Sequence, residues 1–208
     1  MFLLLKNANV FAPTPLGIND ILICDEKIVA IAPDLVVSVP ADLKTIDLGG
    51  KMTVPGFIDG HVHLIGGGGE GGFATRTPEV AIGKLIEAGI TSVCGLLGTD
   101  AATRHIASLY AKTKALRSEG ISAWFFTGGY RVPSATLTGN IGDDVTFLDA
   151  CIGLKTAISD HRSSQSTVDE LARIASQSRI GGMTSGKAGS VVVHLGDGDG
   201  HFDPLLSV

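Results

Sequence analysis

The 208-residue sequence predicts an α/β fold, with a small N-terminal β unit followed by a series of βα units that build a parallel sheet. Three observations point there. Residues 1–53 hold β-branched-rich runs broken by turn residues and show no helical period. From Val54 onward, apolar runs of about five to eight residues alternate with amphipathic segments, the pattern of repeated βα units. Finally, 44% of residues are hydrophobic and only 18% charged, which supplies a sizeable core and excludes a disordered chain.

In the first stretch, Leu3-Leu4-Leu5, Asp20 to Cys24 and Lys27 to Ile31 read as strands, separated by Pro13, Pro15, Gly17 and an Asp25-Glu26 turn. Together they suggest a small antiparallel unit over 1–53. The βα portion, 54–208, offers strands at 54–60, 90–97, 121–127, 151–158 and 189–195. Thr77 can cap the first helix, with Pro78 in its first turn, Glu79 complementing the dipole and Gly89 ending it. A second helix spans about Asp100 to Glu119, with Ile106, Leu109, Tyr110 and Leu116 near one face. A shorter one falls at 142–150. The fourth opens on a capping box, Thr167-x-x-Glu170, and is expected to stop at Gly181-Gly182.

Charge and cysteine content narrow the partners. The net charge is -5 and no run of Lys or Arg interrupts the acidic balance, which argues against nucleic acid or an anionic membrane. Three cysteines, Cys24, Cys94 and Cys151, form no CxxC and leave an odd count, as suits a reducing compartment. The N-terminus lacks the basic and long apolar regions of a secretion signal, and no apolar run approaches the roughly 18 residues of a membrane helix. A cytoplasmic, soluble protein is expected.

Polar residues gather at the C-terminal ends of the predicted strands, the edge where parallel sheets and barrels bind ligands. The sharpest motif is Pro55-Gly56-Phe57-Ile58-Asp59-Gly60-His61-Val62-His63. Side chains alternate along a strand, so His61 and His63 point the same way and can grip one cation. Taken alone, the pair is explained equally well by surface or hydrogen-bonded histidines. Lys155 lies inside the apolar run Cys151 to Ile158, where an ammonium is costly unless paired or neutral. It is either a lysine snorkelling at a strand end or a neutral amine able to take up CO₂ as a carbamate, a bidentate ligand for two metals. His194 ends a run of three valines, where a polar residue needs a partner or a task. These four residues at the ends of three predicted strands favour a metal site.

At these residues the sequence resembles the amidohydrolase superfamily of metal-dependent hydrolases. More narrowly, the segment His61 to Glu70 is similar to the isoaspartyl (β-aspartyl) dipeptidase family, as are Leu96 to Asp100, Thr127 to Tyr130 and Ala157 to Arg162. The resemblance runs from the N-terminal β unit to about Asp197. It implies that 1–53 is part of a composite β-sandwich and that 54–208 is the first part of a (β/α)8 TIM-type barrel, left incomplete after about five units. It also implies a binuclear Zn2+ site, with His61 and His63 on the first metal, carboxylated Lys155 bridging and His194 on the second. A metal-bridging hydroxide would then attack the amide of a β-aspartyl dipeptide. Glu70 would meet the substrate's α-amino group, with the backbone of Gly68 and Gly69 close by. Thr99 would hydrogen-bond the substrate, Tyr130 would donate to the developing oxyanion, and Arg162 would clamp a carboxylate. Each also has a bland reading: Thr99 and Asp100 as a helix cap, Arg162 as a solvated charge. When complete, members of the family are expected to be homo-oligomers.

Three decoys fall away. Gly67-x-Gly69-x-x-Gly72 fits a dinucleotide fingerprint, but Glu87 lies within a predicted helix rather than after the next strand. Gly181 to Lys187 nearly spells a P-loop, yet Ala188 replaces Ser/Thr and a strand follows. Asp197-Gly198-Asp199-Gly200 lacks the further ligands of an EF-hand. The family's later histidine, its metal-binding aspartate that shuttles the proton, a second arginine and a serine have no counterpart within the 208 residues. Little or no dipeptidase activity is therefore expected of this polypeptide alone. The rival readings are another amidohydrolase, such as a cyclic amidase or N-acyl amino-acid deacylase, and a non-catalytic half-barrel that binds metal or a partner.

Overall fold

The computed structural model describes residues 1–38 and 42–208, which form two compact units, Met1–Gly56 and Phe57–Val208. In the first, strands β1 (Phe2–Phe11), β2 (Pro15–Cys24), β3 (Lys27–Ala32), β4 (Leu43–Asp47) and β5 (Met52–Thr53) make one sheet. Its core is Ala8, Val10 and Ile21, packed with Leu5, Ile23 and Leu48. The buried Asp20 carboxylate accepts hydrogen bonds from the backbone N–H groups of Asn7 and Leu35 at 2.9 and 3.0 Å, so it is not left unsatisfied. The expectation of a purely antiparallel unit is corrected here. The β1–β2 and β2–β3 pairs are antiparallel, but β4 and β5 both run parallel to β1. Strand direction depends on the path of the connection, which residue patterning does not encode.

The second unit holds five strands, β6 (Phe57–Val62), β7 (Ile90–Gly95), β8 (Ser122–Gly128), β9 (Cys151–Ile158) and β10 (Ser190–Leu195). All pair in parallel and in chain order, β6-β7-β8-β9-β10, as in successive units of a TIM-type barrel closed only partway. The connecting helices are α1 (Ile82–Glu87), α2 (Ile106–Ser118), α3 (Ile141–Phe147) and α4 (Val168–Ser185), with a short α5 (Asp203–Leu206) after β10. Leu64, Val93, Leu97, Leu109, Leu116, Phe125 and Val145 form the main core, and Leu154, Ile158, Leu171 and Ile174 extend it beneath α4. Each such fully buried side chain contributes about 1.5–3 kcal/mol.

Several helix boundaries differ from the sequence pattern: α2 begins at Ile106 rather than near Asp100, and α3 spans Ile141–Phe147 rather than 142–150. α1 begins only at Ile82, after Ala81, so Thr77 does not cap it. α4 does start on the Thr167/Glu170 capping box, but it runs through Gly181 and Gly182 to Ser185 and ends on the left-handed Gly186. The paired glycines mark close packing rather than a terminus. A Cβ on Gly181 would stand 2.7 Å from the carbonyl oxygen of Gly142, and one on Gly182 would stand 2.5 Å from the Cα of Gly189.

Candidate active site

The C-terminal ends of the five parallel strands bring most of the singled-out residues together. His61 lies within β6 and His63 one residue beyond it, with their rings edge to face at 5.7 Å between centroids. Lys155, the fifth residue of β9, is 1% exposed, and its Nζ has no hydrogen-bond partner. Loss of water pushes its pKa down to about 8 from the ordinary 10.5. A buried amine in that state is neutral for an appreciable fraction of the time near neutrality. The Nδ1 of His63 is likewise buried and unpartnered. Burial first, and the positive charge of Lys155 among the lesser causes, holds both histidines below their ordinary pKa.

Tyr130 sits where these groups meet. Its ring is 4.7 Å from that of His194, and Lys155 Nζ and Arg162 Cζ lie 5.7 and 5.4 Å from its centroid. Burial raises its phenol pKa, so the hydroxyl keeps the proton it would donate. His194, on β10, places Nε2 2.9 Å from Asp160 Oδ2. Asp160, 1% exposed just past β9, also accepts a two-pronged bond from Arg162, at 2.8 Å from Nε and 2.6 Å from Nη2. That bond holds the Asp160 carboxyl well below the usual range and raises Arg162 further. The third edge of the guanidinium reaches Glu70, with Nη1 2.9 Å from Oε2. The hydroxyl of Thr99 donates to the other Glu70 oxygen at 2.8 Å and, with Arg162, keeps that carboxyl ionised.

The result is a cavity of about 210 Å³ whose lining includes His63, Glu70, Thr99, Tyr130, Arg162 and His194. Gly68 also lines it, whereas Gly69 faces an adjacent hollow on the other side of Glu70. His61 and Lys155 are not on the cavity wall; Lys155 Nζ lies over the ring of Tyr130, which does line it. Two contributors escaped the motif reading. Asp160 carried a visible signal, an acidic residue directly after an apolar strand. Arg104 carried none, because it fell within a segment read as the start of a helix. Residues 100–105 instead form a turn in which Asp100 accepts from the backbone N–H groups of Ala102 and Thr103 at 3.1 and 2.8 Å. Thr77 has a different task from capping. It accepts from the Gly67 N–H at 2.7 Å and donates back to the Gly67 carbonyl at 3.2 Å.

Among the described residues, no three His, Cys, Asp or Glu side chains gather closely enough to hold an ion on their own. The donors that do collect are the histidine pair and the orphaned Lys155 amine, with His194 engaged by Asp160. A metal ion fits this donor set, since buried polar atoms without partners are rare.

The parallel βα half-barrel thus gathers histidines, a buried lysine and a charged cavity at its strand ends. A profile of the amidohydrolase family matches residues 44–88. An allantoinase of Desulfitobacterium hafniense is 44% identical over 63 residues, covering 30% of this chain and 13% of the allantoinase. The more particular likeness is to β-aspartyl dipeptidase of Fervidobacterium islandicum AW-1. Its structure is 45% identical, superposes with a TM-score of 0.96 and covers 100% of this chain, which spans 57% of that one. A second structure of that dipeptidase, in complex with β-Asp-Leu dipeptide, gives the same identity and TM-score, with 54% of its chain spanned.

Proposed function

We propose that residues 1–208 carry part of the active site of a zinc-dependent β-aspartyl dipeptidase, on the likeness to a longer dipeptidase of which they span 57%. The observation that carries this reading is the charge pair in the cavity. Glu70 and Arg162, opposite in sign and 2.9 Å apart, sit in one cavity of about 210 Å³ beside Tyr130 and His194. A dipeptide with a free ammonium and a free carboxylate offers each of them a replacement partner. Glu70, steadied by Thr99, takes the ammonium, with Gly68 on the same cavity wall and Gly69 next to it in the chain. Arg162, held at its back by Asp160, presents its fork to a carboxylate.

His61 and His63 would hold one zinc and His194 the second, with Lys155 bridging after its neutral amine adds to CO₂ and loses a proton. Zinc bound there would polarise the scissile carbonyl and supply hydroxide at neutral pH. Tyr130 would donate its retained proton in a hydrogen bond to the oxygen that becomes negative. For His194 to serve, its Nε2 must exchange Asp160 for metal, and Arg162 already satisfies that carboxylate. The protein would work in the cytoplasm as a homo-oligomer, with a small dipeptide as its partner.

The similarity to allantoinase supports a second reading, a cyclic amidase, though over 63 residues only. A substrate panel decides. With zinc, the longer protein containing residues 1–208 is expected to cleave β-Asp-Leu and leave hydantoin and dihydroorotate intact. Hydrolysis of the cyclic amides, with none of β-Asp-Leu, would replace this reading with the second.

A further inference from the structure

The segment that carries Glu70 has no regular secondary structure between Gly66 and Gly72, yet its carboxylate must be held to a fraction of an ångström if it is to meet an ammonium. One side chain gathers that segment. Arg104 is 4% exposed and directs three of its four hydrogen bonds to a single bend of chain and the fourth to Asp100. Nε donates to the Ile65 carbonyl at 3.3 Å, Nη2 to Gly67 at 2.7 Å, and Nη1 to Gly68 at 3.2 Å and to Asp100 Oδ2 at 3.0 Å. The turn after β7 fixes Asp100 itself, through the backbone of Ala102 and Thr103 and the Thr103 hydroxyl.

The segment can be gripped this way only because it is bent. Gly66 has φ +82°, and a Cβ there would stand 2.2 Å from the Thr77 carbonyl oxygen. Its carbonyls therefore turn inward, where a planar guanidinium can reach three of them from one buried point. Thr99, the residue before Asp100, holds the Glu70 side chain at the other end. Asp100 and Thr99 thus act from one turn on both the backbone and the side chain of the substrate-facing segment.

We propose that Arg104 is a positioning residue, clamped by Asp100, that sets the Ile65–Glu70 segment so that Glu70 receives the ammonium of the substrate. The clamp stands on the geometry alone, while its consequence for the substrate rests on the dipeptidase reading above. Lysine cannot replace it, because one ammonium cannot span carbonyls that the two sides of a guanidinium reach.

The test has two arms. In the 208-residue protein, amide hydrogen exchange reads the segment directly through the N–H groups of Gly66, Gly67 and Gly72, which are bonded to His63, Thr77 and Gly69. In R104K and R104M these amides are expected to exchange at least about tenfold faster, the size of one lost charge-assisted hydrogen bond, with β8 and β9 unchanged. Should R104M fail to fold, D100N, which weakens one of the four bonds of Arg104 and the turn that holds Asp100, is expected to accelerate the same amides to a smaller degree. Unaltered exchange in folded R104K and D100N would overturn the clamp. In the longer protein, R104K is expected to raise KM for β-Asp-Leu about tenfold or more while leaving kcat within about threefold. A fall in kcat with KM unchanged would overturn the role in receiving the ammonium. If the exchange result holds but the unsubstituted longer protein does not cleave β-Asp-Leu, the dipeptidase reading has failed and the clamp has not.

Discussion

At the scale of single residues, Lys155 is the group whose burial has the plainest consequence. Its folded pKa of about 8 lies below the ordinary 10.5, so the unfolded chain holds more protons than the folded one between those values. Stability therefore rises with pH across roughly 8 to 10.5, and the cost of burying the ammonium is fully present below that window. In the metal-free protein, Lys155→Met is expected to remove a penalty on the order of 3 kcal/mol at neutral pH and to flatten that rise. Thermal melts at pH 7 and pH 10 check both; a substitution that destabilises the protein equally at the two values contradicts the assignment. Lys155 was legible in the sequence because a lysine inside an apolar strand is anomalous in itself. Arg104 was not, because its carbonyl partners belong to a bend of chain that no periodicity marks. The Glu70–Arg162 pair spans 92 positions, a juxtaposition that only the fold creates. Glu70→Gln keeps the shape and removes the charge, so in the longer protein it is expected to raise KM for β-Asp-Leu at least about tenfold with a smaller effect on kcat.

At the scale of elements, local chemistry was readable and connectivity was not. The box at the start of α4 is present in full, with Thr167 Oγ1 accepting from the Glu170 N–H at 3.2 Å and Glu170 from the Thr167 N–H at 2.9 Å. Four residues suffice to encode it. Thr167→Ala is expected to cost about 1 kcal/mol, measured by denaturant unfolding of the 208-residue protein. No change would mean that packing of Leu171 and Ile174 alone holds the start of the helix. Thr77 shows the opposite case. It precedes a proline and an apolar period, as a cap should, yet it is bonded to Gly67, ten residues earlier. The central strands β8 and β9, buried along most of their length, followed from their apolar runs, because a strand covered on both faces must be largely apolar. The parallel β4 and β5 in the first unit left no such mark, since either direction buries the same side chains.

At the scale of the whole molecule, the second unit is a sheet with two edges, β6 and β10, where a closed barrel has none. A parallel sheet with an open edge exposes backbone groups that ask for pairing. The solved dipeptidase to which the chain is so similar is longer, this chain spanning 57% of it.

The central claim is that Glu70 and Arg162 exchange each other for the ammonium and one of the two carboxylates of a β-aspartyl dipeptide. The measurement that tests it most directly is kcat/KM of the zinc-loaded longer protein for β-Asp-Leu against its N-acetyl derivative, which lacks the ammonium. The account predicts a loss of at least about a hundredfold on acetylation, because Glu70 is then desolvated against a neutral amide. Equal turnover of the two would contradict it, since the ammonium would then have no part in recognition.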